Sequence, residues 1–391
     1  MKNPFNFAGE LGADNLVDRK TELAKVERTI RDANKLFLIG PRRFGKTSIL
    51  KAAQTRLNAK KAIVLRFDAT ASPTLELLVS RIVSHAAGAL HGEVKWVGEQ
   101  LAGFFSRIRP DMKFSPADGE WSVGFGIAKE KRDHPMFFVD ALDGLENLAA
   151  QQPPNRPVGL IIDEFQRVIE LGGVDIEAQI RTAIQQHSRV GYVFAGSRTR
   201  MLQDMVSNHS RPFYRLGDVT YLGPIPREAF TIFLKEKFAE AGHEASDEVV
   251  TRILDLAQDV PYNVQAIASH CWYSLMDEDG AGGSGLTPEF VDETLNLVVR
   301  QQDPTYAGIW SQLTPIQQRT LMYMVAHDGE GITSSVALRE IGHGASTVSK
   351  ARSSLVNSEI LREDQVGRET RYRFEDPFLC HWILMTAIQQ R

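Results

Sequence analysis

The segment from Leu38 to Leu50 reads LIGPRRFGKTSIL and matches the pattern G-x-x-x-x-G-K-[ST] at Gly40, Gly45, Lys46 and Thr47. An apolar run, KLFLIG, leads into the pattern, and a helical stretch follows it. In such a loop the backbone N–H groups turn inward around phosphate oxygens, and the helix adds the positive end of its dipole. The segment therefore predicts a phosphate-binding loop rather than an ordinary turn between a strand and a helix.

The chemistry of the loop predicts a role for each polar side chain. We expect Lys46 to face solvent and to reach the outer phosphates, and the Thr47 hydroxyl to bind Mg²⁺. The residues expected to hold the nucleotide are Gly40, Pro41, Arg42, Arg43, Phe44, Gly45, Lys46, Thr47 and Ser48.

A second acidic motif follows a buried strand. The run VGLIIDEF (158–165) is apolar until it ends in Asp163 and Glu164. Ligands of parallel α/β sheets bind at the carboxyl ends of the strands. One carboxylate there can hold Mg²⁺ and its neighbour can orient the attacking water. The alternative is an acidic pair that only caps the following helix.

Composition is ordinary for a globular protein. The chain has 391 residues, 43% of them hydrophobic and 24% charged, which predicts two to three domains. The net charge of −4 gives no global electrostatic reason to bind nucleic acid. Cys271 and Cys380 form no metal-spaced pair, which favours a reducing cytoplasm. We expect no secretory signal at the N-terminus and no membrane span.

Strands that alternate with helices up to about residue 225 predict an α/β domain with a parallel sheet. Residues 15–34 are predicted as its first helix. We expect an ATPase core over residues 1–225, a helical lid over 226–303 and a winged-helix domain over 304–391. Within the core, 91–135 is predicted as an insertion, with DMKF and WSVGFGI as the arms of a hairpin.

With these motifs in hand, the sequence resembles the archaeal-type P-loop ATPases of the STAND class, which are relatives of the AAA+ proteins. The resemblance lies in LVDRKTELAKVE, GPRRFGKTSIL, LIIDEFQRV, YVFAGSRTRML, PFYRLGDVTYLGPI, VPYNVQAIA, LTPIQQRTLMYMVA and RYRFEDPFLCHWI. It implies ATP and Mg²⁺ as ligands, and a P-loop core followed by a helical lid and a winged helix.

The resemblance also implies roles for single residues. Asp163 would serve the metal and Glu164 the attacking water, while Ser197 would sense the γ-phosphate. Adenine would lie against the lead-in residues Val17, Asp18 and Arg19, and against Pro261 and Tyr262 in the lid. Here Asp259 and Val260 precede Pro261, where relatives usually carry a glycine first.

Arginines crowd the segment after Ser197, namely Arg198, Arg200, Arg211 and Arg215. An arginine from the same chain or from a neighbouring subunit could stabilise the transferring phosphoryl group. Arg211 and Arg215 are the favoured candidates. The alternative is that they are surface or ion-pair arginines.

The C-terminal segment predicts a helix-turn-helix with a wing over 360–374. In GASTVSKARSSLVN, the core face would consist of Val348, Ala351 and Leu355, and DNA would meet Ser349, Lys350 and Ser353. Residues 330–391 hold eight Lys/Arg and eight Asp/Glu, so the domain is not basic. A winged helix used for protein contacts is therefore the competing interpretation.

Together these features predict an ATP-binding, Mg²⁺-dependent ATPase with slow turnover that acts as a conformational switch. We expect a protein partner or an oligomer. One alternative is a nucleotide switch that does not hydrolyse. The other is a DNA-binding regulator whose nucleotide site is structural or very slow.

Overall fold

The computed structural model describes residues 2–7, 9, 16–90, 110–115, 120–125, 134–173, 175–278, 285–332, 334–366 and 369–388. The chain divides into two compact units. One is Glu10–Gly223, and the other combines Met1–Gly9 with Pro224–Arg391.

The Glu10–Gly223 unit is an α/β domain. Its strands are β1 (Lys35–Ile39), β2 (Ile63–Asp68), β3 (Pro110–Ser115), β4 (Glu120–Phe125), β5 (Val158–Asp163), β6 (Val190–Gly196) and β7 (Asp218–Tyr221). Its helices are α1 (Lys20–Arg31), α2 (Lys46–Ala59), α3 (Leu75–Leu90), α4 (His134–Ala150), α5 (Gln166–Gly172), α6 (Ile176–Gln186) and α7 (Thr199–Ser207).

A five-stranded sheet runs through this unit in the order β2-β5-β6-β1-β7, and every neighbouring pair is parallel. All residues of β5 and β6 are buried, as expected for strands with helices on both faces. The core includes a group of aromatic rings contributed by Phe37, Phe165, Phe194 and Phe213. The prediction of a parallel sheet is confirmed.

The strand order decides where the predicted motifs meet. β6 lies between β1 and β5, and Ile39 pairs with Gly196 at the carboxyl edge. The ends of β1, β6 and β5 therefore lie side by side there. The phosphate loop, Ser197 and Asp163 follow or end these three strands, so one edge of the sheet gathers them.

The first helix is shorter than predicted. The sequence predicted a helix over residues 15–34, but α1 begins at Lys20 and ends at Arg31. Positive φ angles of 42° at Asp18 and 50° at Ala33 take the backbone out of the right-handed helical region at both ends. Leu23, Val26 and Ile30 are buried and form the apolar face of α1.

The hairpin predicted between residues 111 and 127 is confirmed for the described residues. β3 and β4 pair antiparallel with Pro110 opposite Phe125 and Ser115 opposite Glu120. The remainder of 91–133 lies outside the described residues.

The other unit is mostly helical. Its helices are α8 (Arg227–Glu240), α9 (Asp247–Leu256), α10 (Pro261–Glu278), α11 (Pro288–Gln301), α12 (Asp303–Ser311), α13 (Pro315–Ala326), α14 (Ser335–Ile341), α15 (Ala345–Asn357) and α16 (Pro377–Ile383). A hairpin of β8 (Leu361–Val366) and β9 (Glu369–Phe374) lies between the last two helices. Residues 279–284, and Arg368 of the predicted wing, lie outside the described residues.

The N-terminal residues pack on these helices. Phe5 is buried, and its ring centroid lies 4.7 Å from that of Phe238 in α8. The Asn3 side-chain amide donates to the Ser269 hydroxyl in α10 at 2.8 Å. The beginning of the chain therefore folds with its C-terminal part.

None of the helices in the described part of the chain is long and apolar enough to cross a bilayer.

Candidate functional site: the phosphate loop and the acidic strand end

The loop between β1 and α2 requires glycine at two positions, for two different reasons. Gly45 is the N-cap of α2 with φ 90°, a conformation that an L side chain rarely adopts. Arg43 also has a positive φ, 65°. Gly40 is a glycine for another reason, because a Cβ there would lie 2.8 Å from the Cβ of Leu222. Gly45 thus serves the turn, and Gly40 allows the chain after β7 to pass closely.

Lys46 does not face solvent, and that expectation is wrong. The residue is only 4% exposed. Its ammonium group donates to the carbonyl oxygens of Gly40 at 2.8 Å and Pro41 at 2.7 Å. The positive charge therefore lies inside the loop, where phosphate oxygens can compete with the carbonyls for its protons.

Thr47 and Asp163 are 116 positions apart in the chain, but the Thr47 hydroxyl donates to Asp163 Oδ2 at 2.6 Å. Asp163 is buried, and burial raises the pKa of its carboxyl group, with the Thr47 hydrogen bond opposing this shift. A hydroxyl and a carboxylate oxygen beside a phosphate loop fit Mg²⁺, which binds one or two carboxylates plus phosphate oxygens and water. These two residues are the ones that would hold the ion.

We expect Asp163→Asn to stabilise the unliganded fold at neutral pH by on the order of 1 kcal/mol. A raised pKa means that the folded state binds more protons than the unfolded state, so this group's contribution to stability falls as pH rises. Asn removes the buried charge and can still bond to the Thr47 hydroxyl and the Glu164 N–H. Thermal unfolding at pH 7 and near pH 3.5 measures the difference, which should shrink in acid.

The same variant should weaken Mg²⁺-dependent nucleotide binding, since a neutral amide is a poorer ligand for Mg²⁺ than a carboxylate. Calorimetry with ATP, with and without Mg²⁺, tests this. A variant that is less stable than wild type at pH 7 contradicts the predicted cost of the buried charge. Equal binding of Mg–ATP by variant and wild type contradicts the assignment of Asp163 to the metal.

Glu164 has a positive φ of 50°, and its side chain reaches Ser197 at the end of β6. Its Oε2 accepts a hydrogen bond from the Ser197 hydroxyl at 2.8 Å and from the Ser197 N–H at 3.3 Å. Gln166, the first residue of α5, donates its side-chain amide to the same oxygen. The structure thus brings the candidate base and the candidate sensor into direct contact.

The segment before α1, which contains Val17, Asp18 and Arg19, lies beside the chain that follows β7. Arg19 is 5% exposed, and its guanidinium donates to the carbonyl of Gly223, just after β7, at 2.6 Å. It also pairs with Glu22 at 3.0 Å. Val17 is half-buried and Asp18 is exposed. Arg19 therefore has a structural function, since it joins the segment before α1 to the segment after β7.

Pro261 and Tyr262 lie in the other unit, where Pro261 begins α10. The Tyr262 ring meets Phe7 edge-on, with ring centroids 5.7 Å apart. Their predicted contact with adenine stays a prediction.

Arg211 and Arg215 lie in the loop that leads into β7, on either side of the buried Phe213. The Arg211 guanidinium binds both carboxylate oxygens of Glu177 and also Asp204, at 3.0 Å from the latter. Arg215 is exposed, and its guanidinium carbon lies 5.1 Å from the centroid of the Tyr214 ring. The two arginines therefore differ: Arg211 is an ion-pair residue, while Arg215 is accessible.

Arg211→Ala should lower the free energy of unfolding by about 2–3 kcal/mol, because it leaves the buried Glu177 carboxylate without its cation. Arg215→Ala should change stability by no more than ~0.5 kcal/mol, as is usual for exposed side chains. Urea denaturation of both variants gives the comparison. Equal stability of the two variants would show that the Glu177 pair does not hold this loop.

The C-terminal residues predicted to face the core do so, since Val348, Ala351 and Leu355 of α15 are buried. On the outer face Lys350 and Ser353 are exposed, and Ser349 is half-buried. The Arg352 guanidinium carbon lies 4.5 Å from the centroid of the Tyr372 ring in β9. Arg371 on the same strand is 3.5 Å from Glu330, which offsets part of the positive charge there.

One residue of the site was missed from the sequence. Gln166 stands in the quoted segment LIIDEFQRV, but its position two residues after Glu164 did not distinguish it from other helical glutamines. Only the contact of its side chain with Glu164 and the end of β6 marks it.

These features define the α/β fold of the P-loop ATPases, with a helical C-terminal part. The Walker-type ATPase paby2304 of Pyrococcus abyssi is similar over 97% of this chain and 99% of that chain, with 16% identity and a TM-score of 0.63. The ORC2 protein of Aeropyrum pernix, solved as ADPNP–ADP complexes, is similar over 97% of this chain and 98% of its own, with 12% identity and a TM-score of 0.53. No protein-family model and no curated protein matches the sequence. At these identities the likeness concerns the fold.

Proposed function

We propose that this protein is an ATP-binding, Mg²⁺-dependent P-loop ATPase of the STAND class that works as a nucleotide-driven conformational switch. The observation that carries the proposal is the convergence of Lys46, Thr47, Asp163, Glu164 and Ser197 at the carboxyl edge of one sheet. The structural neighbours, one a Walker-type ATPase and one solved with ADPNP and ADP, support the choice of ligand.

Each of these residues has a separate role in hydrolysis. Lys46 and the loop N–H groups hold the phosphates. Thr47 and Asp163 would hold Mg²⁺, which would neutralise charge on the phosphate oxygens. Glu164 orients a water molecule and takes one of its protons. The water oxygen then bonds to the γ-phosphorus as the bond to the β–γ bridging oxygen breaks. Ser197 shifts its hydroxyl from Glu164 to the γ-phosphate. The products are ADP and phosphate, and Glu164 gives its proton to the phosphate product, which returns the carboxylate to its starting state.

For the arginines, the exposed Arg215 is the better candidate for a residue donated to a neighbouring copy, and Arg211 is the weaker one. Arg215→Ala should slow turnover with nucleotide binding retained, and such an arginine can contribute ~10³–10⁵ in rate. If turnover is unaffected at protein concentrations that favour assembly, Arg215 has no catalytic role.

The domain division follows from the same proposal. We assign the ATPase core to residues from 10 to about 225, since residues 1–9 pack on the helices of the other unit. We assign a lid to 226–303 and a winged helix to 304–391, with α13, α14 and α15 as its helices and β8–β9 as its wing. Pro261 and Tyr262 are proposed to contact adenine. A protein partner or a further copy of the chain would bind more tightly to one nucleotide state than to the other.

The decisive experiment is phosphate release from ATP by the full chain, with Mg²⁺ and with EDTA, beside GTP as the competing nucleotide. Mg²⁺-dependent release from ATP supports the proposal. ATP binding without any release would favour a non-hydrolysing switch, and the absence of nucleotide binding would overturn the proposal.

A second candidate is a DNA-binding regulator with a structural or very slowly hydrolysing nucleotide site. The exposed Lys350 and Ser353 on α15 favour it. Binding to duplex DNA that weakens with salt but ignores nucleotide would support this alternative, and Lys350→Ala should then reduce the affinity.

A further inference from the structure

Gln166 is a buried amide for which packing gives no reason. The residue is 6% exposed, and its Nε2 donates to Glu164 Oε2 and lies 3.4 Å from the Ser197 hydroxyl oxygen. Its Oε1 is buried and has no hydrogen-bond partner among the described residues. Burial of an unpaired carbonyl oxygen is destabilising, because its hydrogen bonds to water are lost and not replaced. A leucine of similar length would avoid that cost, so stability alone does not explain the amide.

The neighbouring strand leaves space for this amide. A Cβ on Gly196 would lie 2.2 Å from Gln166 Oε1 and 2.5 Å from a methyl group of Leu202. The φ of Gly196 is not positive, so space and not backbone conformation requires glycine here. Gly196 thus leaves the room that the Gln166 amide occupies, against the end of β6 and beside Glu164.

Ser197 and Gln166 hold Glu164 in different ways. The Ser197 hydroxyl can rotate about one bond, so it can leave Glu164 for a phosphate oxygen. The Gln166 amide is buried beside Gly196, so it has less room to turn away than the hydroxyl has. When the Ser197 hydroxyl turns away, the Gln166 amide and the more distant Ser197 N–H remain on Oε2 and restrict rotation of the carboxylate.

We propose that Gln166 is a positioning residue that holds Glu164 Oε2, so that Glu164 Oε1 takes the proton of the attacking water. This inference rests on the proposed ATPase function. Loss of the amide lets the carboxylate turn out of line, and misplacement of a reacting group by about 1 Å can cost ~100-fold in rate.

The test is Gln166→Leu in the full chain, with Gln166→Met as a second variant of similar length. We expect kcat to fall about 10- to 100-fold while the Kd for Mg–ATP changes by less than about twofold. The melting temperature should not fall, because the unpaired carbonyl is removed. Gln185→Leu, at an exposed position of α6, is the matched control and should keep wild-type turnover.

A double-mutant cycle with Glu164→Gln separates positioning from a general structural effect. If Gln166 acts only through Glu164, adding Gln166→Leu to Glu164→Gln should change the single-turnover rate by less than about twofold. Multiplication of the two single effects would overturn the proposal, as would an unchanged kcat in both Gln166 variants or a parallel loss of nucleotide binding. An inactive wild-type protein would instead overturn the proposed function itself.

Discussion

Glu164→Gln is expected to reduce ATP turnover by about 10²–10⁴-fold, the range over which a positioned general base contributes. Gln has nearly the size of Glu and can still accept hydrogen bonds from Ser197, but it cannot take a proton from water. The γ-phosphate should therefore stay in place, and ATP affinity should persist or increase. Phosphate release and calorimetry on the same preparation measure the two effects.

Glu170→Gln is the matched control, because it makes the same chemical change at an exposed acid in α5 whose partners are Arg167 and Arg198. Its turnover should equal that of wild type. Any partner or oligomer selected by the ATP state should accumulate in Glu164→Gln, since a ligand shifts a population only by its differential affinity. Size-exclusion chromatography in ATP tests this. Unchanged turnover in Glu164→Gln would leave the site without a base and favour a non-hydrolysing switch.

Replacing Lys46 should have the largest effect on binding. Each hydrogen bond from an ammonium group to a phosphate oxygen is worth about 1.5–3 kcal/mol, so loss of two should weaken ATP binding by at least ~100-fold. Lys46→Met is a sharper test than Lys46→Ala. The residue is buried, and methionine keeps most of its apolar stem.

Stability must be measured beside affinity here, because both variants remove the donor from the carbonyls of Gly40 and Pro41. Lys60→Met, at an exposed lysine at the end of α2, removes the same charge elsewhere and should keep wild-type affinity. Calorimetry that finds equal affinity for wild type and a folded Lys46→Met protein would refute the phosphate-loop assignment.

Much of the fold could be predicted from local pattern. Apolar runs such as KLFLIG and VGLIID become β1 and β5, and the helical spacing of Val348, Ala351 and Leu355 gives the buried face of α15. Such patterns hold because burial of one face of a helix, or of a whole strand, requires apolar side chains at a fixed period. The ends of α1 were not predictable in this way, because they depend on positive φ angles at Asp18 and Ala33, which are not glycines.

In the candidate site, too, some features could be predicted from the sequence and others depend on tertiary contacts. A phosphate loop and an acidic strand end could be predicted from the sequence, since glycines, a lysine and paired acids at fixed spacing are local chemistry. The tertiary structure alone sets their relation: β6 lies between β1 and β5, and Thr47 meets Asp163 across 116 positions. It also decided that Lys46 is buried, that Arg211 pairs with Glu177, and that Gln166 meets Glu164 beside Gly196. These contacts depend on strand order and on the space a distant residue leaves free, and neither is encoded by spacing along the chain.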